Sequence, residues 1–145
     1  MFRWYQDAEI CYAYLSDVAP RDEGIDLGAF QASKWFKRGW TLQELLAPHD
    51  LRFFDKDWKE IGTKESMEEA IKATTGIQYL FSFEEASIAQ KMSWASERET
   101  TRVEDRAYCL MGIFGVNMPP LYVRILLYER LLHYVQKEAN RADSI

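Results

Sequence analysis

Cysteine, histidine, proline and glycine are all scarce in this 145-residue chain, at two, two, four and seven. Two cysteines, Cys11 and Cys109, are too few for the disulfide framework of a small secreted scaffold. With His49 and His133 they are scattered along the chain, so no zinc-ligand spacing exists. Glycine plus proline total 11 while hydrophobic residues make up 48%, which excludes low-complexity disorder. No apolar run approaches the roughly 20 residues of a membrane span. The opening MFRWYQDAEI holds no apolar signal-peptide core. Positive charge is in the minority, 18 Lys and Arg against 23 Asp and Glu, and the net charge of −5 argues against a nucleic-acid surface. The remaining expectation is one soluble, cytoplasmic domain, long enough to bury roughly 70% of its unfolded surface.

Aromatics, by contrast, are plentiful: five Trp, eight Tyr and eight Phe, 14% of the chain. Such residues build either a tightly packed core or a surface made to meet something else. The run Ile10 to Leu15 is continuous, apolar and aromatic, and ends at Ser16-Asp17, so it reads as a buried strand. Residues 1–8 read as the end of a helix and residues 19–28 as loop. From Gln31 to Ala47, Trp35, Phe36, Trp40, Leu42, Leu45 and Leu46 approximate a helical stripe that Pro48 stops. Leu51–Phe54 is a second strand, Asp55–Asp57 a turn, and Trp58–Ile61 an extended piece. Ser66 with Glu69, and Thr101 with Glu104, have the spacing of capping boxes, predicting helices from Ser66 to Gly76 and from Thr101 to Gly115. Another helix is expected over Ser87–Ala95, and a last one over Leu121–Glu138. The order strand, helix, strand, then mostly helix predicts an α/β fold with a parallel sheet and a helix-rich C-terminal half.

Sequence motifs of known chemistry are missing: no Gly-rich phosphate loop, no GxSxG and no HExxH. Both cysteines sit in apolar surroundings and read as inert core residues. Two stretches stand out. In the first, Trp40 and Glu44 are four apart and share a helix face. A carboxylate beside an indole in a dry cleft suits acid–base work or cation stabilisation. An ordinary solvated helix residue has the same spacing. In the second, Arg98, Arg102 and Arg106 alternate with Glu97, Glu99, Glu104 and Asp105. That pattern fits an anion clamp, but a helix start whose acids complement the dipole and pair with the arginines fits it better.

Taken together, Trp4-Tyr5, Cys11 to Val18, Arg38-Gly39-Trp40-Thr41-Leu42-Gln43-Glu44-Leu45-Leu46-Ala47-Pro48, Met92 to Ala95, Thr100-Thr101-Arg102 and Glu104 to Leu110 resemble the fungal heterokaryon incompatibility (HET) domain. The resemblance runs from about Phe2 to Tyr122, and it implies an effector of non-self recognition whose engagement triggers cell death. Two departures are visible. The N-terminal block with a Trp-x-Asp motif that precedes Trp4-Tyr5 in the family is missing, so residues 1–122 are expected to be a partial domain. After Leu121-Tyr122 the family's Gly-Glu-Gly is replaced by Val123-Arg124-Ile125, so residues 123–145 are expected to be a divergent helix and tail.

The HET domain is in turn distantly similar to the Toll/interleukin-1 receptor (TIR) domain, which has a flavodoxin-like parallel sheet. Trp40-Thr41-Leu42-Gln43-Glu44-Leu45 resembles a TIR helix whose glutamate cleaves the nicotinamide–ribose bond of NAD. The resemblance implies a catalytic role for Glu44, ring stacking for Trp40, phosphate contacts for Arg38 and Arg98, and second-rank binding roles for Ser16 and Asp17 at a strand's carboxyl end. Capping of the strand exit is the plain alternative for those two. NAD would be a substrate, and no cofactor is implied. The alternatives are an adaptor that self-associates or recruits other incompatibility proteins, and an inactive gene fragment.

Overall fold

The first expected strand forms as β1 (Cys11–Tyr14) in a computed structural model that describes residues 1–115 with positions 133 and 137. It follows a short helix, α1 (Phe2–Asp7), and pairs in parallel with β2 (Leu51–Phe54), whose bounds match the sequence reading. Between them lie α2 (Leu27–Gln31), a 3-10 turn over Lys34–Lys37, and α3 (Thr41–Leu46). A third strand, β3 (Glu60–Thr63), pairs antiparallel with β2, giving the order β1-β2-β3. The sheet is therefore mixed where a parallel one was expected. Residues 55–59 are too few for a crossover, so the chain must turn straight back. In that turn the Asp55 carboxylate accepts from the Asp57 and Lys59 amides at 2.9 and 3.0 Å, and Trp58 takes φ 61°. The helices α4 (Glu68–Thr75), α5 (Ile88–Ser96) and α6 (Val103–Met111) complete the described fold.

β1 is half-buried rather than buried throughout. Ala13 and Leu15 point inward with Leu51 and Phe53, while Tyr12 and Tyr14 point out. The inward face packs on Phe30, Trp35, Phe36, Leu42, Leu45 and Ile71. Phe30, Trp35, Phe36 and Phe53 meet at centroid distances of 5.1–6.2 Å, mostly edge to face. Helices were expected on both faces, but among the described residues none packs on the outer face. There Tyr12 meets Phe54 at 5.2 Å, and Tyr14 stacks on Trp58 at 4.6 Å and 14°. The aromatic surplus thus serves both a core and a surface.

Three further expectations are corrected. The helix over residues 31–47 is broken into two pieces, because Arg38 is extended (ψ 138°) and bridges to Glu99. Ser66 does not cap α4: its hydroxyl accepts from the Thr63 amide in the turn leaving β3. Thr101 does not cap α6, whose N-cap residue is Arg102 and makes no side-chain cap bond. The capping box that forms is Ser87 with Gln90, at α5. Gly76 ends α4 at φ 72°, as glycine permits. The helix expected over Leu121–Glu138, and the boundary between residues 122 and 123, lie outside the described residues.

Candidate functional site

The segment from Arg38 to Thr41 is pinned by a distant stretch of chain. The Gly39 amide donates to the Glu99 carbonyl at 2.8 Å, and the Glu99 amide donates to Lys37 at 2.7 Å. Only glycine fits here: a Cβ at position 39 would overlap the Thr100 methyl and lie 3.3 Å from Cys109 Sγ. Arg98 fastens the other side. Its Nη1 donates to the Arg38 carbonyl at 3.0 Å and to Thr41 Oγ1 at 2.9 Å. The Thr41 hydroxyl donates in turn to the Trp35 and Arg38 carbonyls. α3 begins at this knot, which fixes Glu44 one turn later.

Glu44 is half-buried, and burial pushes its carboxyl above the usual range. Arg38, the Tyr5 hydroxyl, Arg98 and Trp35 oppose that shift by favouring the ionised form. The Tyr5 O–H points at Glu44 Oε1 from 3.4 Å. Burial first, and the Glu44 charge second, raise the Tyr5 pKa. The same two causes, with Asp50, raise that of Cys11. Glu44 therefore sits by the amino end of β1, among Tyr5, Arg38 and Arg98.

Trp40, half-buried at the start of α3, lines a cavity of about 880 Å³ with Gln43, Phe83, Lys91 and Tyr108. Glu44 is not in its wall. Ser16 and Asp17 lie in the turn beyond the other end of β1. Ser16 is exposed. The Asp17 carboxylate accepts from Ser33 Oγ at 2.6 Å and the Lys34 amide at 2.7 Å. Burial would raise its pKa, but these hydrogen bonds outweigh it and hold the carboxyl low. The structure thus groups Glu44, Arg38 and Arg98 and separates Ser16 and Asp17, of which Asp17 organises the turn before Trp35.

Two participants escaped the sequence reading. Tyr5 had no local signal. Gln43, only 2% exposed, donates to the Tyr108 and Cys109 carbonyls at 3.1 and 2.6 Å and ties α3 to α6. An amide inside the stripe of Leu42, Leu45 and Leu46 was the available hint. Both cysteines are free thiols, and burial pushes Cys109 up to about 12, which removes it as a nucleophile. Among the described residues no His, Cys, Asp or Glu cluster is placed to hold a metal, and no helix is long and apolar enough to cross a membrane.

Over 131 residues the chain is 46% identical to the vegetative incompatibility protein HET-E-1 of Podospora anserina. This is a heterokaryon incompatibility relationship. The match takes in 84% of the chain but only 10% of the Podospora protein, so the chain spans about a tenth of that relative's length. No family model and no solved structure matches.

Proposed function

We propose that the chain carries a HET domain with TIR-like chemistry, an effector of vegetative incompatibility that triggers cell death by hydrolysing NAD. The 46% identity to HET-E-1 supports the biological role. One observation carries the chemistry: a half-buried carboxylate, Glu44, flanked by Arg38 and Arg98 one helical turn after an indole. In this reading the bond between nicotinamide nitrogen and ribose C1′ breaks, and nicotinamide leaves with the electron pair. Glu44 supplies negative charge to the oxocarbenium-like centre, as glycosidase carboxylates do. Water adds at C1′ and gives up a proton, so the products are nicotinamide, ADP-ribose and H⁺. Trp40 offers a stacking surface, and Arg38, exposed at the site's edge, offers donors to phosphate. Ser16 and Asp17, beyond the opposite end of β1, are given no part in it.

The test is nicotinamide release from NAD by the purified chain, followed chromatographically. Release that Glu44→Gln abolishes, with the fold intact by circular dichroism, is the expected result. Release equal in both proteins, or none from a version extended to the length of its relatives, removes the catalytic reading.

The outer sheet face favours a second reading, a non-catalytic module that self-associates or recruits other incompatibility proteins. Tyr12 and Trp58 are 63% and 59% exposed there, and Tyr and Trp are frequent anchors of interfaces. Cell killing retained by Glu44→Gln and lost by Trp58→Ser would establish this alternative.

A further inference from the structure

Among the described residues Arg98 is a buried cation with no ion-paired counterion. It is 5% exposed, and its Nη2 has no hydrogen-bond partner. Among the described residues its guanidinium forms no ion pair, because Glu44 reaches it only as a field. A buried charge left in this state is costly, and with Nη1 committed to Arg38 and Thr41 and Nη2 closed off from solvent, the guanidinium meets an acceptor in the cavity only by turning toward it. Arg98 also lines a cavity of about 560 Å³ between α5 and α6, a size typical of small-molecule sites. Arg106 stands exposed in the same wall, and none of the lining residues is acidic. In a chain of net charge −5, this acid-free concavity with two arginines is a marked local reversal. The rest of the wall is largely apolar, including Met92, Ala95 and Leu110.

We propose that this cavity binds a small organic monophosphate, its phosphoryl group between Arg98 and Arg106 and its apolar body along Met92 and Leu110. A phosphoryl group carries close to two negative charges at neutral pH, matching two guanidinium groups where a carboxylate would match one. The neighbouring hydroxyls are already committed as donors: Ser93, Ser96 and Thr100 donate to the carbonyls of Gln90, Ser93 and Arg102. Recognition of the head therefore falls to the arginines. The inference rests on this cavity and not on the Glu44 reading, so a chain unable to cleave NAD would still bind.

The experiment is isothermal titration calorimetry of the full chain with 2-naphthyl phosphate, 2-naphthoate, 2-naphthol and inorganic phosphate. One-to-one binding of 2-naphthyl phosphate at least about tenfold tighter than any of the other three is expected, since head and body each contribute. Ser96→Trp plugs the cavity from an exposed position and should weaken binding by at least about tenfold, and Arg106→Gln by a smaller factor. Arg98→Lys should weaken it as well. If that variant melts early, the other two decide. Equal binding of 2-naphthol would mean a merely greasy surface, a preference for 2-naphthoate would reject the phosphate class, and binding unmoved by Ser96→Trp would place the ligand elsewhere. Any of these, or no binding at millimolar ligand, overturns the proposal.

Discussion

Stability between pH 7 and 11 should be governed in part by one lysine. Lys64, at the end of the β2–β3 hairpin, is 2% exposed, and its Nζ donates to the Pro48 carbonyl at 3.0 Å and the Leu46 carbonyl at 3.4 Å. Leu46 is the last residue of α3, so the ammonium completes a helix C-terminus, with the Phe81 ring 5.0 Å away. Burial nevertheless pulls its pKa down from 10.5 to about 8, and Glu84 offsets this only in part. Between those values the unfolded chain holds a proton that the folded chain has released. Unfolding therefore takes up a proton, and stability must rise with pH. The shift of 10.5 − 8 = 2.5 units corresponds to about 3 kcal/mol across the window. Other groups titrate nearby. Cys109, Tyr5 and Cys11 are raised, which makes stability fall as pH climbs, so the signal must be read as a difference. Lys64→Met keeps the volume and drops the charge. Urea unfolding of both proteins from pH 7 to 11 should show the parent gaining about 3 kcal/mol on the variant. A difference that stays flat would mean that the ammonium is hydrated or ion-paired in solution, and the burial argument would fail.

Ser87→Ala should lower stability by about 1 kcal/mol by thermal melting, since it removes a formed capping box, whereas Thr101→Ala should stay within about 0.5 kcal/mol. Gly39→Ala should cost about 1–3 kcal/mol by overlap with the Thr100 methyl, and Thr100→Ser should recover part of it in the double variant. Asp17 has a lowered folded pKa, so it stabilises above the unfolded value near 3.8 and loses that contribution as pH falls below it. Acid unfolding of Asp17→Asn should lack this component, and identical acid profiles would contradict the bonds to Ser33 and Lys34.

What the sequence disclosed and what it hid divide by range. Leu51–Phe54 carried its strand in its own composition, and Gly76 carried its stop in its missing side chain. The capping boxes show the limit of such reasoning. Ser66-x-x-Glu69 has the spacing, but the Ser66 oxygen is engaged by the Thr63 amide, so the turn out of β3 takes the acceptor that α4 would have used. The stripe from Gln31 to Ala47 is helical in period, yet a single helix would carry Gly39 away from Glu99, sixty residues along, and forfeit two backbone bonds. No window of neighbouring residues contains that partner. The same holds at the candidate site. The spacing of Trp40 and Glu44 was visible, but Tyr5 reaches Glu44 across 39 positions, and Arg98 reaches Thr41 across 57.

Those long contacts also alter what the motif means. The stretch with Arg98, Arg102 and Arg106 offered two readings, a clamp or a helix start, as though one answer covered all three. In the fold they part company. Arg102 is the bare start of α6, Arg106 an exposed cation on a cavity wall, and Arg98 a buried guanidinium half spent on holding Arg38 and Thr41. The knot that positions Glu44 and the cavity between α5 and α6 therefore share one side chain. A ligand drawn to Arg98 would bear directly on the segment that launches α3. That side chain ties the wall of the cavity between α5 and α6 to the segment from which α3, and with it Glu44, is positioned.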